Sequence, residues 1–304
     1  MHLVKPLILG LATLTNIVAS ASLGPRTNIA ARANSAGCGK APTIKTGTQT
    51  ITVGGTQRKF RIRVPLNYNN NNKPYKLMYG LHWNGGTMDQ VADGGTDKWN
   101  YFGIEKLANE TMIFVAPQGL NGGWANSGGQ DTKLIDAIND YVDAGLCVDQ
   151  GQRFSIGFSY GAGMSYSLAC NRANKFRAVA IIAGGQLSGC EGGNDPIAYF
   201  GIHGIKDGTL PIATGRSLRD RFIKNNGCNS LAGAKEPASG SRTHITTAAT
   251  GCKQGYPVRW AAHDGGHIQA AADKPAPREE DGKNSWVEGE VWAFWNLPEL
   301  STPK

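Results

Sequence analysis

Apolar and polar residues alternate over residues 48–53 and again over 58–64, with Gly54-Gly55 between the two stretches. A period of two on both sides of a glycine pair predicts a β-hairpin, of the kind that suits a sheet edge. From residue 76 the pattern changes. Lys76-Leu77-Met78-Tyr79-Gly80-Leu81 reads as a buried strand, and Met112-Ile113-Phe114-Val115-Ala116 and Arg153-Phe154-Ser155-Ile156 as two more. Further strands are expected over residues 178–183, 197–203 and 258–262. Helical segments fall between them, around residues 103–109, 132–144 and 164–170, and residues 285–295 read as a closing helix. Strands that alternate with helices predict an α/β fold, with a mostly parallel sheet and crossover helices on both faces. There is no internal repeat and no Pro/Ser/Thr-rich linker, so residues 37–304 are expected to form a single domain.

The beginning of the chain is different in kind. Residues 1–21 carry Lys5, an apolar run from Leu7 to Val18, and Ala19-Ser20-Ala21 as a small-residue cleavage site. That is the pattern of a secretory signal peptide. The run contains Gly10, Thr13, Thr15 and Asn16 and falls short of the ~20 apolar residues a membrane span needs. Residues 22–36 lack periodicity and read as a linker or propeptide. The mature protein is therefore expected to be exported, extracellular, soluble and free of the membrane.

Export changes the meaning of the six cysteines, Cys38, Cys147, Cys170, Cys190, Cys228 and Cys252. An even set in an oxidising compartment favours disulfides over metal ligation, and no C-x-x-C pair is present. Of the ~15 possible pairings, only Cys228 with Cys252 is favoured, because the two bracket a Gly/Ala/Ser-rich excursion. Asn109-Glu110-Thr111 is a glycosylation sequon. The formal net charge of +8 comes from scattered Lys and Arg without a basic helix, so nucleic acid is not an expected partner.

Candidate chemistry centres on Gly157-Phe158-Ser159-Tyr160-Gly161, which lies between an expected strand and an expected helix. In that context G-x-S-x-G predicts a nucleophile elbow. A sharp strand-to-helix turn leaves no room for a Cβ two residues either side of the serine, and glycine stands at both places. A serine hydroxyl needs a base, and the base needs an orienting acid, which in α/β-hydrolases follow in the order Ser, Asp or Glu, His. Asp207 lies in a loop leaving the 197–203 strand, although Asp207-Gly208 would also make an ordinary turn. His267 is the preferred base, because Gly265 and Gly266 let its loop fold back over the sheet edge. His263 suits a structural histidine at a strand end. For the oxyanion, the backbone N–H of Tyr160 is one expected donor. An amide from the loop after the strand ending at Leu81 is the other, with Asn84 preferred and Trp83 the alternative.

These segments together resemble a family. GLHWNGGT (80–87), FVAPQG (114–119), GGWANSGGQD (122–131), GFSYGAGMSY (157–166), HGIKDGTLP (203–211) and HDGGH (263–267) are similar to secreted fungal feruloyl esterases. More broadly they resemble the carbohydrate esterases that include acetyl xylan esterases and polyhydroxyalkanoate depolymerases. The resemblance runs from about Cys38 to Trp295. It implies an α/β-hydrolase fold, hydrolysis of hydroxycinnamate esters on plant cell-wall arabinose, and no cofactor. Feruloylated arabinoxylan or small hydroxycinnamate esters are the expected partners, with no metal and a monomer also expected. The triad it implies, Ser159, Asp207 and His267, agrees with the chain-order argument. Many depolymerase-side relatives have a glycine where Trp83 stands. No carbohydrate-binding module is visible.

The same triad would also serve an acetyl xylan esterase or a polyester depolymerase. A scaffold that binds polysaccharide without catalysis is a third reading, opposed by three intact triad positions. Trp83, Trp124 and Tyr160 suit a flat phenolic acyl group, and Trp83 and Trp124 are the expected substrate contacts; Trp124 would equally suit the core.

Overall fold

A glycine pair reverses the chain at the first sheet edge. In the computed structural model, β1 (Gly47–Val53) and β2 (Thr56–Arg63) pair antiparallel across Gly54 and Gly55, with φ of 56° and 80°. Positive φ at both central positions gives a turn whose twist matches the flanking strands, and glycine adopts it without strain. The structure describes residues 1–2, 34–69, 73–95 and 99–301. Apart from its first two residues, the leader expected over 1–21 lies outside the described residues, as do residues 22–33 of the expected linker.

The hairpin is followed by β3 (Tyr75–Leu81), α1 (Met88–Asp93), α2 (Ile104–Ala108), β4 (Met112–Pro117) and α3 (Gln130–Gly145). Next come β5 (Val148–Phe158), α4 (Tyr160–Asn171), β6 (Ala178–Ile182), β7 (Ala198–Gly204) and α5 (Ile212–Asn225). The chain closes with β8 (His244–Ala248), β9 (Val258–His263), α6 (Val287–Trp295) and α7 (Pro298–Ser301). The described strands form one nine-stranded sheet in the order β1-β2-β4-β3-β5-β6-β7-β9-β8. Every neighbouring pair from β4–β3 to β7–β9 is parallel, and antiparallel pairing is confined to the two ends. The chain has the α/β-hydrolase fold.

Successive strand residues point to opposite faces, and here both faces are covered. Leu77, Tyr79 and Leu81 of β3 and Val179 and Ile181 of β6 share one core with Leu134 and Ile138 of α3, Leu168 of α4 and Phe222 of α5. Met78, Phe114 and Ile182 share the other with Val91 of α1, Ile104 of α2 and Phe294 of α6. Two-sided burial is why the central strands read as apolar runs and β1 does not.

Three features depart from the sequence expectations. Residues 34–36 are not linker: Asn34 bridges to Asp149, and the buried Ser35 hydroxyl donates to Leu146 O and accepts from Val148 N–H. Asn34 and Ser35 are therefore docked on the domain. The polar excursion between Cys228 and Cys252 contains β8, an edge strand whose residues are mostly half-buried and show no clean alternation. Helix α5 went unread because its apolar stripe is thin, with Leu218, Phe222 and Ile223 amid charged residues. Helix α1 did carry a signal, since Thr87 and Gln90 cap its start reciprocally.

All six cysteines are paired, as Cys38–Cys147, Cys170–Cys190 and Cys228–Cys252, the last being the pairing the sequence favours. Among the described residues no helix is long and apolar enough to cross a membrane.

Candidate active site

Strand β5 ends at Phe158, α4 begins at Tyr160, and Ser159 makes the turn between them with φ 56° and ψ −116°. Few residues with a side chain adopt that backbone, and it persists where the surroundings over-determine it. The surroundings are the two glycines. A Cβ at Gly157 would stand 2.2 Å from the Gly161 carbonyl carbon, and one at Gly161 only 2.0 Å from Leu81 O. Ser159 N–H donates to Ile182 O at 3.0 Å, which ties the turn to the end of β6. Its side chain sits at the carboxyl end of the sheet, half-buried.

Two loops bring the partners to it. Beyond β7 and β9 the backbone continues to pair: Ile205 N–H donates to His263 O at 2.8 Å and Lys206 N–H to Gly265 O at 3.0 Å. Close approach requires Gly204, where a Cβ would lie 2.3 Å from the carbonyl oxygens of Gly265 and Gly266. Asp207 then turns back on itself, its Oδ1 accepting the N–H groups of Thr209 at 2.9 Å and Leu210 at 2.8 Å. Oδ2 is left for His267, whose Nδ1 lies 2.8 Å away, while His267 Nε2 lies 2.9 Å from Ser159 Oγ. The imidazole rests on the Phe158 ring with centroids 4.8 Å apart. The Asp-Gly turn and the acid are one structure, not alternatives.

Burial alone would push the Asp207 carboxyl up, but hydrogen bonds from His203, His267 and the Leu210 N–H outweigh it. The carboxyl is held well below its usual range and is ionised at neutral pH. It can orient the imidazole and balance a positive charge on it, which lets His267 Nε2 take a proton from Ser159 Oγ.

The loop after β3 is pinned by a buried histidine. His82 Nδ1 donates to Trp83 O at 2.8 Å, and its Nε2 accepts Gly119 N–H at 3.0 Å. Burial lowers its pKa, with the hydrogen bond to Trp83 opposing, and the ring is neutral. Gly86 N–H also donates to Trp83 O, at 3.0 Å. In a planar trans peptide the Asn84 N–H points opposite to that twice-held carbonyl. Tyr160 is the first residue of α4, so its N–H has no partner within the helix.

No protein-family model matches the chain. Individual relatives do. A probable feruloyl esterase C of Aspergillus terreus is 49% identical over 258 residues, covering 84% of this chain and 92% of the relative. Feruloyl esterase D of Neurospora crassa is 45% identical over 274 residues, 88% of this chain and 92% of its own length. The chain belongs to the fungal feruloyl esterase family. Among solved structures, an acetyl xylan esterase from Aspergillus awamori superposes with a TM-score of 0.56 at 16% identity, over 82% of this chain and 99% of that one. That likeness is one of fold.

Within this family member the sequence-selected residues have unequal fates. Ser159, Asp207 and His267 come together in one hydrogen-bonded chain. His263 stays apart, buried at the end of β9, where Gly265 N–H donates to its Nδ1 at 3.1 Å. Burial, helped by His203 and His244, lowers its pKa to about 3, so it is neutral. Asn84 is exposed, and Trp83 and Tyr160 are half-buried. Trp124 requires a correction. It is 0% exposed, donates its indole N–H to His82 O at 2.7 Å, and stacks at a tilt on the His82 ring. With no accessible surface it offers a substrate no contact; it supports the loop after β3 from below.

Sequence reasoning overlooked His82 and His203, both fully buried polar residues at strand ends. It also overlooked Asn126, whose Oδ1 accepts the N–H groups of Asp131 and Thr132 at 3.0 Å. Asp131 in turn is paired with the buried Arg58 at 2.7 Å. This network fixes the loop that carries Trp124.

Proposed function

We propose that the enzyme hydrolyses hydroxycinnamoyl esters of plant cell-wall polysaccharide through an acyl-enzyme on Ser159. The carrying observation is the hydrogen-bonded chain from a strained, accessible Ser159 through His267 to an ionised Asp207. Membership of the feruloyl esterases supports the choice of acyl group. In acylation, Ser159 Oγ attacks the ester carbonyl while His267 Nε2 takes its proton. The charge on the carbonyl oxygen is met by the N–H groups of Tyr160 and Asn84. The bond to the sugar oxygen breaks, and His267 returns the proton to that oxygen. Water then repeats the sequence on the acyl-enzyme and releases the free acid.

Aromatic contact with the acyl ring falls to Trp83, which is half-buried and sits beside Asn84. Three disulfides fit an oxidising compartment and support export, with residues 1–21 as the leader. Arabinoxylan is the proposed polymer and a monomer the proposed working form.

The test is hydrolysis of methyl ferulate and of p-nitrophenyl acetate by wild type and Ser159→Ala. The variant should fold normally and lose about 10⁴-fold or more in kcat on both. Retention of a few per cent of turnover would remove Ser159 from the mechanism. Release of acetate from acetylated xylan without hydrolysis of methyl ferulate would move the enzyme to an acetyl esterase.

A further inference from the structure

The carboxylate of Asp207 has more donors than a triad needs. Besides His267 and two backbone N–H groups, it faces His203, whose Nε2 lies 3.3 Å from Oδ2 and 2.7 Å from Leu210 O. A backbone carbonyl only accepts, so Nε2 carries a hydrogen. That hydrogen goes to Leu210 O, and Nε2 stands 3.3 Å from the same Asp207 oxygen that receives His267 Nδ1. His203 is 1% exposed, its ring stacks over Trp260, and a Cβ at Gly215 would lie 2.3 Å from its Nδ1. A fully buried histidine held on both sides, aimed at the acid of the triad, has a stronger rationale than packing.

We infer that His203 is a positioning residue for the hydrolysis, holding Asp207 Oδ2 in line with His267 and drawing off part of its negative charge. This rests on the triad assigned above. Without the second donor the carboxylate turns more freely and its full charge falls on the imidazolium. His267 then deprotonates at higher pH and is less often in the productive orientation. Two neighbouring groups do not change in that window. His263 stays neutral, with a pKa of about 3, and the Arg242 N–H and Lys206 hold Asp264 ionised.

The experiment compares pH profiles of kcat/KM on methyl ferulate for wild type, His203→Leu and His203→Gln. The Leu variant removes the donor, whereas the Gln amide can replace Nε2–H. For His203→Leu, kcat should fall about tenfold to a hundredfold with KM within about twofold. Its acid limb should move up by about half a pH unit. His203→Gln should recover most of both. A folded Leu variant with the wild-type limb would overturn the inference, as would equal damage from Gln with no shift. If Leu does not fold, the Gln profile decides: a displaced limb, or kcat reduced more than about tenfold, overturns the inference, and a near wild-type profile supports it. Ser159→Ala is run alongside; its survival would instead remove the triad on which the inference rests.

Discussion

Trp124 donates its indole N–H to the backbone carbonyl of His82 at 2.7 Å, with neither side chain exposed. Through this bond the loop after β4 supports the loop after β3, and His82 passes the constraint to the Trp83–Asn84 peptide. Loss of the indole donor would leave a buried carbonyl unpaired, a cost of about 1–3 kcal/mol. Trp124→Phe should therefore lower the melting temperature. It should reduce kcat/KM on methyl ferulate and p-nitrophenyl acetate by the same factor, because the change acts on the loop after β3 and not on an acyl contact. A loss specific to ferulate would return Trp124 to the acyl site.

Trp83 is the opposite case, half-buried beside Asn84. Stacking a phenolic ring against an indole contributes about 0.5–1.5 kcal/mol beyond area burial, or up to about tenfold in kcat/KM. Trp83→Ala should weaken turnover of methyl ferulate several-fold more than turnover of the acetate. Equal losses would place the aromatic contact elsewhere.

The two histidines of the HDGGH segment should separate kinetically. His267→Ala removes the group 2.9 Å from Ser159 Oγ and should be about as damaging as loss of the serine. His263→Asn keeps an acceptor for the Gly265 N–H and should retain most of the activity. The reverse ranking in folded proteins would make His263 the base.

His263 also has a thermodynamic signature. Its folded pKa of about 3 lies below the value of about 6.5 for an unfolded histidine. As pH falls below about 6.5 the unfolded chain takes up the proton and the folded chain does not, so stability declines until the folded group titrates. One proton corresponds to about 1.4 kcal/mol per pH unit. Denaturant unfolding of His263→Asn between pH 6 and 4 should show a slope shallower by about that amount. An unchanged slope would mean that His263 is protonated in the fold.

Gly161 offers a test of the elbow itself. With a Cβ placed 2.0 Å from Leu81 O, Gly161→Ala must push β3 and α4 apart at backbone atoms, which cannot yield by a rotamer change. The variant should lose more than about 3 kcal/mol of stability, beyond ordinary overpacking, or fail to fold. Near wild-type unfolding would refute the tight contact.

What the chain by itself determined is local in origin. The alternation around Gly54-Gly55, the apolar runs of β3, β4 and β6, and the glycines flanking Ser159 state their own requirements, because pleat, turn and Cβ collisions act over a few residues. The order Ser159, Asp207, His267 was legible for a related reason, since each follows a recognisable strand and parallel strands open their loops at one end. Only the tertiary structure decided which side chains face solvent. Trp124 and Trp83 both lie in glycine-rich segments after strands, yet one is covered by a neighbouring loop and the other is not. Ser35, in a stretch without periodicity, is docked by hydrogen bonds to residues more than a hundred positions away. His203 stands only four residues before Asp207, with Nε2 3.3 Å from its carboxylate, yet the burial of its ring beside Trp260 is decided by the packing of β7 on β9.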